Sequence, residues 1–171
     1  MQAMVRLSQP ISDEDLERIS VENPGWQVER ESDGSLVMSP TTSLGSAKNI
    51  ELARQLANFA RSYGGKAFDS SAGFTLPDHS ALSPNGAWMQ TERWADLPRK
   101  VQDSYAPLVP DLWIELRSKT DSLKKLQKKP RRIQGFGAGY VLLIDPYERT
   151  SWASGQPPAN FALDLEAIFD A

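Results

Sequence analysis

The chain contains no cysteine, which excludes disulfides and thiolate metal sites. Histidine is almost as scarce, since His79 stands alone. One imidazole cannot build a two-histidine metal site or a 2-His-1-carboxylate triad. A Ser-His-Asp arrangement would have to use His79, which lies in the loop-like "LPDHSAL" and reads as a surface residue. No apolar run approaches the roughly 20 residues that span a bilayer. The start, "MQAMVRLSQPISDEDLERIS", lacks the apolar core of a secretion signal. These absences predict a cytoplasmic protein with no membrane segment. They leave carboxylates, lysines and arginines as the groups available for chemistry.

The 171 residues suit one domain, 1–171, with one sizeable core. The net charge is −3, too acidic for indiscriminate binding to polyanions. The basic residues are unevenly placed, however. Arg117, Lys119, Lys124, Lys125, Lys128, Lys129, Arg131 and Arg132 put eight of the 19 into 16 positions. Such a positive region on an acidic background suits phosphate groups. On composition alone a solvated basic face is an equal alternative.

Helical and strand patterns alternate along the chain. "ISDEDLERISVEN" predicts a short helix capped by Ser12, with acids in its first turn. "WQVERE" and "SLVMSP", separated by "SDG", predict an N-terminal hairpin. Ile50, Leu52, Leu56 and Phe59 predict a long helix that ends at Gly64-Gly65. "KAFDSSAGFTLPD" holds two short strands and "NGAWMQ" another, while "TERWADLP" and "RKVQDSY" read as helical turns. "PLVPDLWIELRS" and "YVLLIDP" are near-continuous apolar runs, as expected of strands buried on both faces. Between them "DSLKKLQKKPRRIQGFGAG" predicts one basic helix, with Thr120 or Asp121 near its cap. This strand–helix–strand unit predicts a parallel crossover. "TSWAS" reads as an edge strand and "FALDLEAIF" as a closing segment. The expected fold is α/β (α+β), a mixed central β-sheet flanked by helices.

Glu115 is the anomaly in the strand "LWIEL". A carboxylate in an apolar strand is costly unless paired, hydrogen-bonded or metal-bound. Strand alternation could point Glu115 to an exposed face, and residues two apart share a face, so exposure or pairing with Arg117 is one reading. The other is a metal-ligating acid beside a cation, as phosphodiester hydrolysis requires. That reaction needs carboxylates for Mg²⁺ and a lysine to orient or activate water, and no histidine or cysteine.

The stretches "LSPNGAWM", "TERW", "PDLWIELRSKTDSLKKLQKK" and "LLIDP", with "VERESDGSLVMSPTTSLGSAKNIELARQL" and "GFTLPDHSALSPN" upstream, resemble the Uma2 family over about residues 12–153. The resemblance implies a restriction-endonuclease-like fold of PD-(D/E)XK type, acting on DNA with Mg²⁺ or Mn²⁺. Carried over residue by residue, Glu115 is the strand acid. The family lysine stands 17 residues before the proline of "DP"; here that is Pro146, which gives Lys129. The aspartate of an "SPD" segment is a second metal ligand, and here the segment reads Ser83-Pro84-Asn85. Glu29 matches an auxiliary acid in the first hairpin. Arg117, Lys119, Lys124, Lys125, Lys128, Arg131 and Arg132 would then hold nucleic acid, with Arg117 a backup cation or phosphate contact.

Two departures stand out. Asn85 offers a carbonyl oxygen but no charge, which weakens Mg²⁺ binding. Pro130 follows Lys129, and a proline inside a helix costs about 3 kcal/mol or more, so the helix either starts later or is kinked at the lysine. The stretch "GAGYVLLIDP" also departs from the family's "GARLGWLIDP". Together they point to a diverged copy with weakened or absent cleavage. The alternative is a non-catalytic nucleic-acid-binding or regulatory module on the same fold; a third reading sets the basic helix against an acidic partner. Homodimerisation is open. "GFGAG" follows a helix and precedes a strand, the reverse of a dinucleotide fingerprint. "YGGK" lacks the rest of a P-loop, and the five tryptophans read as packing residues.

Overall fold

Two five-stranded sheets, rather than one, organise the described residues. The computed structural model describes residues 3–7, 9, 11–40, 42–119 and 121–171, with 124 and 125 described in backbone only. The first sheet is antiparallel. It joins β1 (Ala3–Val5), β2 (Trp26–Arg30), β3 (Leu36–Pro40), β5 (Phe74–Thr75) and β6 (Ala81–Leu82) in the order β1-β3-β2-β6-β5. The second joins β4 (Lys66–Asp69), β7 (Gly86–Met89), β8 (Leu112–Leu116), β9 (Tyr140–Asp145) and β10 (Thr150–Gly155) in the order β10-β9-β8-β7-β4. Only its β8–β9 pair is parallel, so this is the mixed central sheet. The expected hairpin exists as β2–β3 but belongs to the other sheet. β1 and β6 escaped the sequence reading, because three exposed residues and a two-residue pair carry too little periodicity.

The helices are α1 (Asp13–Glu22), α2 (Ser43–Tyr63), α3 (Thr91–Ala95), α4 (Arg99–Gln102), α5 (Leu123–Leu126), α6 (Lys129–Gly135) and α7 (Leu165–Asp170). Ser12 caps α1 by accepting the Asp15 N–H at 3.1 Å, as its acidic first turn suggested. Among the described residues no helix is long and apolar enough to cross a membrane.

The predicted basic helix is two helices. α5 stops at Leu126 and α6 restarts at Lys129, with Pro130 in its first turn. First-turn N–H groups have no intrahelical acceptor, so a proline there removes no hydrogen bond. The strain expected from Pro130 is therefore absent. Its fixed φ helps restart the chain at the residue that matters. Thr120, one of the two expected caps, lies outside the described residues; Asp121 accepts the Ser118 N–H.

Packing sorts the central sheet by residue parity. Leu112, Ile114 and Leu116 face Leu52, Leu56 and Phe59 of α2 and Ile168 and Phe169 of α7. Trp113 faces the opposite way, toward Ile133 of α6, Val141 and Phe74. A third cluster, Leu16, Val28, Leu36 and Ala81, seats α1 on the first sheet.

Lys48 of α2 is buried, and its ammonium donates to the carbonyls of Ile168 (3.3 Å), Phe169 (2.6 Å) and Ala171 (2.9 Å). It thus caps the C-terminal end of α7, where orphan carbonyls and the helix dipole favour a cation. Lys48→Met should cost about 2 kcal/mol, the scale of charge-assisted bonds lost. Thermal melts should show a lowered midpoint. Hydrogen exchange should be faster in 165–171 than in β8, and equal exchange in both would contradict the capping role.

Candidate functional site

β8 alternates, so Glu115 shares the face of Trp113 and points toward α6. It is 5% exposed, on a strand whose five residues are all buried. Lys129, the first residue of α6, meets it with Nζ 2.7 Å from Glu115 Oε1. The indole N–H of Trp113 donates to the same oxygen at 2.6 Å. The costly buried acid is thus paired and hydrogen-bonded. Its partner is Lys129, not Arg117. Arg117 turns to the fully buried Asp145 at the end of β9, with Nη1 2.6 Å from Oδ2.

Glu29 arrives from β2. Its Oε1 accepts the Ser83 N–H at 2.8 Å and lies 3.8 Å from Lys129 Nζ. One ammonium therefore stands between two carboxylates. Burial pushes the Glu29 carboxyl above the ordinary range; Lys129 counteracts this, while Glu115 adds to it. Burial alone would lower the Lys129 pKa, but Glu115 and Glu29 outweigh it and hold the ammonium above the usual lysine range. Lys129 is therefore a fixed cation at neutral pH.

An acid with a raised folded pKa loses stability as pH climbs from the unfolded value near 4.5 through the folded one. Glu29→Gln keeps an oxygen for the Ser83 N–H and escapes that loss. Its melting midpoint should equal or exceed wild type near pH 8 and lose the advantage as pH falls toward 4. A variant less stable at pH 8 than at pH 4, relative to wild type, would reverse the sign.

Asn85 sits just before β7. Its Oδ1 accepts the Leu116 N–H at 2.7 Å, and its Nδ2 donates to Asn49 Oδ1 at 3.0 Å. The β8 amide fixes which branch is oxygen. Where an aspartate would place its second oxygen, this chain presents an N–H donor. Asn-Gly pairs are common in turns, but Asn85-Gly86 does not build one around a left-handed glycine. Gly86 opens β7 without a positive φ. A Cβ there would come within 2.5 Å of Leu56 Cδ1, so glycine lets α2 pack close to the sheet.

These side chains line a cleft of about 470 Å³ between the two sheets and the α2 and α6 starts. Glu115, Glu29, Asn85 and Lys129 all face it, as do Arg117, Lys119, Lys128 and Arg132. Arg132 is engaged by Asp78 (2.7 Å) and Glu31 (3.2 Å), which tie α6 to the first sheet. Arg131 is exposed and lies outside the cleft lining. The side chains of Lys124 and Lys125 lie outside the described residues. Sequence reasoning missed Asn49, Trp113, Asp145 and Tyr147. Only Trp113 carried a signal, being two residues from Glu115 on the same strand face.

Among the described residues no three or more acids or histidines group in a way that could hold a metal ion. Two carboxylates share one lysine, and the third position offers an amide whose oxygen is already accepting. Mg²⁺ needs oxygens and negative charge in octahedral array. The residues as they stand do not fit a tightly held dication.

A family model, Uma2, described as "Putative restriction endonuclease", matches residues 13–163. The solved structure of a "putative nuclease belonging to DUF820" from Anabaena variabilis is similar at a TM-score of 0.64 and 18% identity, covering 91% of this chain and 97% of that one. That likeness shows the fold. No curated protein matches.

Proposed function

We propose that this chain, which belongs to the Uma2 family, binds DNA in the cleft and is a weakened copy of a metal-dependent endonuclease site. The observation that carries the reading is Lys129 held between Glu115 and Glu29 in a cleft whose lining also includes the exposed lysines Lys119 and Lys128. A recessed ammonium suits the negative charge that grows on a phosphodiester as it is attacked. Because its pKa is raised, Lys129 acts as an electrostatic partner and donor to phosphate oxygen, not as the base. Glu29 is the group suited to take a proton from water, since burial raises its pKa from the ordinary carboxylate range. Glu115 holds Lys129 in place, and Trp113 fixes the Glu115 carboxylate.

Asn85 decides how active such a site is. With an N–H donor at the second ligand position, cleavage supported by Mg²⁺ or Mn²⁺ should be slight. The non-catalytic reading, a nucleic-acid-binding module, draws on the same observation. A nicking assay on supercoiled plasmid separates them. Wild type should nick weakly with Mn²⁺, and Lys129→Ala should abolish it. DNA binding that falls with salt, without cleavage by wild type or by Asn85→Asp, would support the binding module instead.

A further inference from the structure

We propose that the cleft accepts an unpaired DNA strand rather than an intact duplex, with Tyr147 as the platform on which a base stacks. This rests on the nucleic-acid reading of the same cleft. The reactive groups are recessed: the side chains of Glu115, Glu29 and Lys129 are 6%, 15% and 19% exposed. A cleft of about 470 Å³ has the capacity of a small-ligand pocket. It matches one or two nucleotides, whereas a paired backbone is part of a stiff rod that cannot fold into such a recess without costly deformation. Enzymes whose target lies inside the duplex flip the nucleotide out or use single strands, and a recess that excludes the stiff duplex imposes the same choice on a backbone phosphate.

The mouth of the cleft is equipped for that. Among the described residues four aromatic side chains are notably exposed, Trp26, Tyr63, Tyr147 and Trp152, and of these Tyr147 lines the cleft. Its placement is built. Buried Asp145 accepts the Tyr147 N–H (3.0 Å) and the Glu148 N–H (3.2 Å) on Oδ1, and Arg117 on Oδ2 (2.6 Å). The Arg117 guanidinium lies 5.8 Å from the Tyr147 ring centroid, within cation–π range. Tyr147 is anchored by these contacts yet stays 44% exposed. Lys119 and Lys128, both exposed, line the same cleft. An aromatic platform beside a basic track is how proteins bind single strands without reading sequence.

Fluorescence anisotropy with the whole protein tests this, in EDTA and low salt so that binding is read apart from cleavage. The probes are labelled oligo(dT) of about 20 nucleotides and a blunt duplex of about the same length. The single strand should bind about tenfold more tightly than the duplex, and Tyr147→Ala should lose about tenfold on the single strand alone. Tyr147→Phe should retain the affinity, and all variants should melt as wild type does. Equal or tighter duplex binding, or an unchanged Tyr147→Ala, overturns the proposal while leaving the nucleic-acid reading standing. No binding of either probe overturns both.

Discussion

Asn85→Asp is expected to raise divalent-cation affinity by about tenfold or more, the scale on which ligand charge tunes such sites, and plasmid nicking should rise with it. The substitution is close to isosteric. One carboxylate oxygen can keep the Leu116 N–H, now bonded at 2.7 Å. The other replaces the Nδ2 donor, and Asn49 can turn its amide to donate where it now accepts. Only the charge and the donor sense at one cleft atom change. Calorimetric titration with Mn²⁺ reads the affinity directly, and nicking with Mg²⁺ or Mn²⁺ reads its consequence. If a folded Asn85→Asp protein binds cation no better than wild type, Asn85 does not occupy a ligand position. Cation binding that improves without nicking would place the remaining defect elsewhere in the site.

The second large effect is on stability. Lys129→Met should cost about 3–5 kcal/mol near neutral pH, the range for removing one partner of a buried pair. For a chain of this size the melting midpoint should fall by roughly 10 °C. Two carboxylates then face one another in a recess without the ammonium that now lies 2.7 and 3.8 Å from them. The pH dependence identifies the cause. Lysine with a raised pKa stabilises the fold below its unfolded value of 10.5, and this is lost as pH rises through the folded value. In the variant the deficit should shrink on acidification, because protonation neutralises the unshielded acids. Lys129→Met/Glu115→Gln should recover much of the loss. Thermal melts at several pH values check both, and a deficit independent of pH would indicate lost packing rather than lost charge.

The parallel β8–β9 unit was legible because both strands are continuous apolar runs, and burial on both faces writes itself into composition. Ser12 and the acidic turn announced α1 for a local reason, since capping is decided within four residues. The β2–β3 hairpin was legible too, but not that it would leave the central sheet. Which sheet a strand joins depends on partners far along the chain, and β2 finds Ala81 of β6 through a single register pair. The split into α5 and α6 was half legible: Pro130 signalled a break, but only the structure showed the helix restarting at Lys129 rather than kinking there.

By itself the sequence determined which chemistry is available, carboxylates and cations without cysteine or paired histidines, and marked Glu115 as an acid in need of a partner. Tertiary structure chose that partner. Strand parity aims Glu115 at α6, and the restart of α6 brings Lys129 within 2.7 Å. The β9 terminus meanwhile draws Arg117 away to Asp145. It also turned Asn85 from a missing charge into an oriented donor, because the Leu116 amide fixes which branch of the side chain is oxygen. Charge is a property of residues, but pairing and donor direction are properties of neighbours that only folding brings together.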